Sequence, residues 1–266
     1  MITGIASHAQ DQRSSDSQPT QPATQGSASS KPLLSIVIPV LEPDAELARC
    51  VNCILGAMQG STPPEIVIVT PPRFTDAAAA LYPGARVCAE TRRGIYSAMN
   101  DGALASRGEY LYFMGKDDMM LSTLREALAM LDRERPFALF CDVYWGTRGI
   151  YPGKPSPLRV LGRNLCHQGI IYSRRAFDRH GPYLRRMRVQ ADHLLNIKIL
   201  WDRSAGGSIK HLAKPLAWYS GDGFSTLNRD KTFWRLYPNI MRRYVGAWAA
   251  CLLVAYRTMR GANKKS

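Results

Sequence analysis

The sequence predicts an α/β protein with a mostly parallel central sheet flanked by helices. Three observations carry that expectation: short apolar runs recur along the chain, stretches of helical period separate them, and Pro or Gly residues punctuate the joins. The chain has 266 residues, 45% hydrophobic and 21% charged, which is enough apolar material to bury one sizeable core.

The elements follow in order. Leu34-Ser35-Ile36-Val37-Ile38-Pro39-Val40 is a continuous apolar strand of the kind buried on both faces. Asp44 then caps a helix reaching about Met58, with Leu47, Val51, Ile54 and Leu55 on its apolar side. Pro63-Pro64 break the chain before a second strand, Glu65 to Val69, which Pro71-Pro72 end. A short helix through Ala77 to Ala80 leads to a third strand, Ala85 to Ala89. Strand, helix, strand, helix, strand means right-handed crossovers and a ligand crevice beyond the carboxyl ends of the strands. The next helix, Arg92 to Ala105, is entered through a basic pair and Gly94, with Ile95, Met99 and Ala103 predicted to face the sheet. A strand over Glu109 to Met114 follows, then a helix from Leu121 to Asp132, and His167 to Tyr172 reads as a later strand.

Residues 1–31 are rich in Ser, Gln, Thr and Ala and contain no aromatic residue, which predicts a disordered tail. They lack the basic start and apolar stretch of a signal peptide, so a cytoplasmic protein is expected. Six cysteines in mostly apolar contexts read as reduced thiols, and Cys50-Val51-Asn52-Cys53, with no second pair or His cluster, reads as packing rather than zinc or redox chemistry. The net charge of +14 favours phosphates, nucleic acid or an anionic membrane surface, without choosing among them.

The fourth strand ends in Gly115-Lys116-Asp117-Asp118. Two adjacent carboxylates at the tip of a buried strand offer hard oxygen ligands that suit Mg2+ or Mn2+, and such a cation can clamp a substrate diphosphate. The plainer reading is a polar turn, with Asp118 near the start of the following helix.

Several segments together resemble a known family, the inverting glycosyltransferases of family 2, in particular the subgroup that builds bacterial capsular, exo- or lipopolysaccharide. They are Ser35 to Val40, Arg93-Gly94-Ile95-Tyr96-Ser97-Ala98-Met99-Asn100, Gly108-Glu109-Tyr110-Leu111 and Cys166-His167-Gln168-Gly169-Ile170-Ile171-Tyr172. The resemblance runs over about residues 33 to 225 and implies the Rossmann-like, nucleotide-sugar-binding GT-A fold, with a catalytic domain over 32–228. It also implies a single displacement at the anomeric carbon of a nucleotide-sugar donor, with inversion, assisted by Mn2+ or Mg2+. On this chain it places the metal ligands at Asp118 and Asp117, and the catalytic base at Asp192. Donor-binding residues fall at Pro39, Glu42, Thr70, Arg93, Asp117 and Ser225, and acceptor-binding residues at His167 and Gln168. The loop Trp218 to Ser225 looks like the family's segment closing over the donor. Two departures stand out: the first acid of the metal motif is Gly115, and Thr70-Pro71-Pro72 stand where relatives often carry acidic residues for the nucleobase. Lys116 is a candidate to neutralise phosphate charge.

The C-terminal region, 229–266, interleaves Arg235, Arg242, Arg243, Arg257, Arg260, Lys264 and Lys265 with Trp234, Tyr237, Tyr244, Trp248 and Tyr256. An amphipathic helical extension lying on the inner face of a membrane is expected, because the apolar run Tyr244 to Tyr256 covers only about 20 Å of a roughly 30 Å hydrocarbon core. The alternative is a helix packed on the catalytic body. A glycan or a polyprenyl-diphosphate-linked acceptor at that surface accounts for the positive charge. A catalytically degenerate nucleotide-sugar binder is the second functional reading. A nucleic-acid-binding module is the third, but the apolar, buried strands leave no exposed sheet of stacking aromatics, so no nucleic-acid partner is expected.

Overall fold

The computed structural model describes residues 31–202, 208–221, 230–248 and 251. The predicted N-terminal tail, Ser225 with most of its loop, and nearly all of the chain after Trp248 fall outside the described residues.

The N-terminal half of the sheet is parallel. Strands β1 (Leu34–Pro39), β2 (Glu65–Thr70), β3 (Arg86–Ala89) and β4 (Tyr110–Phe113) lie in the order β3-β2-β1-β4. The other half is mixed. β4 pairs antiparallel with β8 (Ile170–Ser173), and β8 antiparallel with β6 (Ala138–Trp145). Beyond these, β6 runs parallel to β9 (Ile209–Tyr219), which carries the two-residue β5 (Met119–Met120) on its far edge, while β7 (Ile150–Tyr151) makes a hairpin with β6. Apolar clusters fill both faces of the sheet.

Helices α1 (Ala45–Ala57), α2 (Thr75–Leu81) and α3 (Ile95–Ala105) form the crossovers. Asp44 caps α1 as predicted, accepting from the Leu47 amide at 3.1 Å. Helix α3 sits hard against the sheet because position 102 is glycine: a Cβ there would fall 2.3 Å from Val37 Cγ1. Met99 and Ala103 are buried beside it, but Ile95 is 45% exposed and does not join the core-facing stripe the sequence suggested. It stands on the first turn, where α3 overhangs a cleft.

Glu65 ties the parallel half together. It accepts from Ser35 Oγ on β1 (2.6 Å), from the Arg107 amide ahead of β4 (2.7 Å) and from the Arg86 guanidinium on β3 (3.1 Å). Burial works to raise its pKa, and these bonds outweigh it, holding the carboxyl down at about 2.

Two sequence expectations are corrected here, and one further helix is added. Helix α4 (Leu124–Glu134) starts later than Leu121, because Met119-Met120 are drawn into β5, and Asp118 caps no helix. His167–Gly169 forms a 3-10 turn, and the strand begins only at Ile170. The turn is fixed by Tyr112, whose hydroxyl donates to the Gln168 carbonyl at 2.7 Å. Finally, α8 (Lys231–Ile240) packs on the body: Phe233, Tyr237 and Ile240 are buried in the same core as α7 (Ala191–Trp201), and the Tyr237 hydroxyl bonds the Leu161 carbonyl of α5 (Pro157–Gly162). The run Tyr244 to Tyr256, expected at the membrane surface, lies largely outside the described residues.

The cysteines are free thiols, as expected. Cys50 is buried with its Sγ 3.6 Å from the Gly115 carbonyl, and burial raises its pKa, so the C-x-x-C spacing is packing. Among the described residues no helix is long and apolar enough to cross a membrane.

Candidate active site

A cleft of about 770 Å3 opens beyond the carboxyl ends of β1 and β4. Its walls include Pro39 after β1, Gly115, Asp117 and Asp118 after β4, and Arg93, Tyr96 and Ser97 at the start of α3. His167 and Gln168 of the 3-10 turn, Arg185 and Arg188 of the loop before α7, and Tyr219 at the end of β9 complete it. This is the switch-point position where an open α/β sheet receives a ligand.

The acidic tip is held on both sides, by β4 before it and β5 after it. Asp118 is 1% exposed. Its Oδ2 accepts from the Gly115 amide at 2.9 Å and from Gln168 Nε2 at 3.0 Å, whereas its buried Oδ1 finds no hydrogen-bond partner among the described residues. Burial, helped by the neighbouring Asp117 charge, lifts the Asp118 carboxyl to about 7. A buried oxygen left unpaired is costly unless something else supplies the missing charge. Asp117 also lines the cleft and accepts from Ser220 Oγ at 2.8 Å. Hard, paired oxygens with one unsatisfied atom fit a divalent cation, although no cluster of three His, Cys, Asp or Glu side chains forms among the described residues.

Gly115, the departure from the family's metal motif, has a local reason. A Cβ at this position would stand 2.6 Å from Asp117 Oδ1 and 3.0 Å from Asp118 Oδ2, inside the space the two carboxylates occupy. Lys116 turns away from the cleft and pairs with Asp44 and Glu46 of α1, so it is not placed to meet phosphate.

Asp192 sits in the first turn of α7, 8% exposed, one side chain behind the cleft wall. Its Oδ1 accepts from Tyr96 Oη at 2.8 Å and its Oδ2 from Asn164 Nδ2 at 2.6 Å, with His167 Nδ1 3.9 Å away. Burial and the Asp192 charge hold the Tyr96 hydroxyl far above the usual range, so it remains a donor. Asn164 is fixed in turn: its Oδ1 takes the Asn196 amide at 3.0 Å, and Asn196 Oδ1 takes the Tyr172 hydroxyl at 2.8 Å. His193, next along the helix, points elsewhere. It bonds the Val160 carbonyl at 2.6 Å and stacks on Phe233.

The cleft thus gathers Pro39, Arg93, Asp117, Asp118, His167 and Gln168 from the sequence-predicted set. Gln168, expected to meet an acceptor, directs its amide at Asp118 instead. Glu42 is exposed and off the cleft wall, because the chain turns outward before α1. Thr70 is fully buried at the end of β2 and does not reach the cleft. Ser225 lies outside the described residues. Sequence reasoning missed Asn164, Arg185, Arg188, Ser220 and Asp230. Asp230 accepts from the amides of Arg188 (2.7 Å) and Val189 (3.1 Å) while capping α8 through Thr232 and Phe233, so α8 steadies the loop that leads to Asp192. An acid before a helix signals a cap, but nothing in the chain order announces its second pair of donors.

A strand-tip acid pair thus faces the cleft, and a further buried carboxylate, Asp192, lies one side chain behind its wall. The family model described as glycosyl transferase family 2 matches residues 35–195, and the chain belongs to that family. A protein of Mycobacterium bovis named PGL/p-HBAD biosynthesis glycosyltransferase is 33% identical over 220 residues, covering 78% of this chain and 84% of its own length, and a Mycobacterium tuberculosis protein of the same name matches equally. Among solved structures, residues 1–349 of TarS from S. aureus superpose with a TM-score of 0.61 at 15% identity, over 80% of this chain and 66% of that one. Glucosyl-3-phosphoglycerate synthase from Mycobacterium tuberculosis, in complex with Mn2+, UDP and phosphoglyceric acid, gives 0.53 at 16% identity, over 81% and 79%. These neighbours share the GT-A fold expected from the sequence.

Proposed function

We propose that this glycosyltransferase moves a sugar from a nucleoside-diphosphate sugar to a hydroxyl of a glycan or a polyprenyl-diphosphate-linked acceptor, with inversion, in bacterial surface glycoconjugate synthesis. The observation that carries the reading is the unpartnered, buried Oδ1 of Asp118 at the tip of β4, beside Asp117. Asp118 and Asp117 would hold Mn2+ or Mg2+, which when bound offsets the charge of the departing diphosphate. Gln168 and the Gly115 amide fix the other oxygen of Asp118 and so aim the free one. Arg93, Arg185 and Arg188 add positive charge along the cleft for phosphate oxygens.

The reaction balances within these groups. The acceptor oxygen bonds the anomeric carbon as the bond from that carbon to the diphosphate oxygen breaks. Asp192 takes the hydroxyl proton, and the nucleoside diphosphate leaves with the bonding pair. Tyr96 and Asn164 orient Asp192 and leave its remaining lone pairs for that proton. The relatives' names support an acceptor of the glycolipid kind, and a peripheral position at the inner face of a membrane follows from such an acceptor.

A thermal-shift screen with UDP-, GDP- and dTDP-sugars, with and without Mn2+, tests the reading. UDP-sugars come first, because TarS has been solved with UDP-GlcNAc. A rise in Tm that requires both sugar nucleotide and Mn2+, and that Asp118→Asn abolishes, is the expected result. A shift unaffected by Mn2+ and retained in Asp118→Asn would favour the degenerate binder.

A further inference from the structure

The charged C-terminal segment does not have its apolar face free. Phe233, Tyr237, Ile240 and Met241 are buried in the body, so α8 offers only its outer side to solvent. That side carries Arg235, the turn Met241–Val245 that follows adds Arg242 and Arg243, all three are exposed, and residues 231–248 include no Asp or Glu.

Beside it lies an apolar rim drawn from three elements. Leu158 on α5 is 70% exposed, and Trp248 is 54% exposed. Trp201, the last residue of α7, joins them: its Nε1 donates to the carbonyl of Pro157 at 2.8 Å, and its ring lies 6.4 Å from that of Trp248. The cations border the same ground. The Arg243 guanidinium lies 5.7 Å from the Tyr244 ring, and Lys198, one turn before Trp201, lies 5.6 Å from that ring.

We propose that this patch, with Leu158, Trp201 and Trp248 as apolar wedges and Arg242 and Arg243 as headgroup contacts, docks the protein on an anionic lipid surface. Indole rings and a leucine flanked by unopposed arginines match the boundary between headgroups and acyl chains. A protein partner of the same apolar area would not need a surface free of acids over eighteen consecutive positions. Helix α7 gives the patch its meaning for the site. Its last residue is Trp201 and its first turn holds Asp192, nine steps or roughly 14 Å apart along one rigid rod. A lipid-linked acceptor therefore has a short reach from the bilayer surface to the cleft. This orientation rests on the acceptor reading above, whereas the docking itself does not.

Flotation of the full chain with phosphatidylcholine vesicles, with and without phosphatidylglycerol, is the test. Wild type is expected to float only with the anionic vesicles. Arg242→Gln with Arg243→Gln should weaken partitioning by roughly 30-fold, about fivefold for each charge removed. Leu158→Ser with Trp248→Ser should weaken it at least about tenfold. If wild type stays in the aqueous fraction, or if both double variants float like wild type, the proposal is overturned. Asp118→Asn separates the two ideas: it should float like wild type even though its Mn2+-dependent donor shift is lost, and a failure of the donor shift in wild type would leave the docking result standing.

Discussion

Two buried carboxylates, Asp118 on the cleft wall and Asp192 one side chain behind it, are held in opposite ways. Asp118, on a strand tip, has one oxygen fixed and one bare, with its pKa lifted to about 7. Asp192, on a helix start, has both oxygens bonded by neutral donors that are themselves anchored. On the proposed reading this difference would separate a metal ligand from a base: one oxygen of Asp118 is left for a cation, whereas both oxygens of Asp192 are aimed by neutral donors.

The comparison breaks most visibly at Asp118. Replacing it with Asn should lower turnover by roughly a thousandfold, the several kcal/mol that a cation supplies to a departing diphosphate. Mn2+ should then cease to stimulate the residual rate. Should turnover and its Mn2+ dependence survive, the strand tip is no metal site. Asp192→Asn should cost about 10^2 to 10^4 in kcat while the nucleotide-sugar thermal shift persists. Loss of donor binding in that variant would place Asp192 in the donor pocket and dissolve the contrast.

Tyr96→Phe sharpens it further. Removing the hydroxyl leaves Asp192 Oδ1 without its donor, so kcat should fall by about tenfold to a hundredfold with the donor KM unchanged. An equal rise in KM would mean that Tyr96 serves substrate binding instead.

Glu65, in the parallel half, supplies the smallest effect and the control, because it serves only the fold. Its folded pKa, about 2, lies below the ordinary glutamate value of 4.5. Its contribution is therefore present above pH 4.5 and lost as the pH falls toward 2. Arg86 and Arg107 are largely exposed, so most of that contribution comes from the Ser35 and Arg107 amide bonds. Glu65→Gln should destabilise the protein by about 1–3 kcal/mol at pH 7, with the gap to wild type narrowed at pH 3 and gone only below the folded pKa. Denaturant midpoints at the two pH values measure it, and a gap that widens in acid would contradict the assignment.

The parallel half was readable in advance because β1, β2 and β4 are local apolar runs buried on both faces, while β3 is the partly exposed edge strand. Ile36, Val37 and Ile38 carry that signal without help from distant residues. The mixed half was less so. β5 is only Met119-Met120, and it exists because Leu216 and Trp218 arrive from about a hundred residues away to pair with it. Ile95 looked like a core position by helical period, but the period does not say where a helix overhangs a cleft. Within the site, Asp118, Asp117 and Asp192 could be named from chain order. Gln168 turning to Asp118, and Lys116 turning to Asp44, could not, since each partner comes from another element.

What the sequence by itself determined is the supply of strands and crossover helices, the acids at the end of β4 and the excess of basic charge, all of which are properties of local runs. Tertiary structure alone decided which oxygen of Asp118 stays bare, that Tyr96 and Asn164 grip Asp192, and that α8 joins the core with its arginines facing outward. Those outcomes depend on hydrogen-bond partners and apolar surfaces brought together from distant positions, and no local pattern of residues encodes a distance between them.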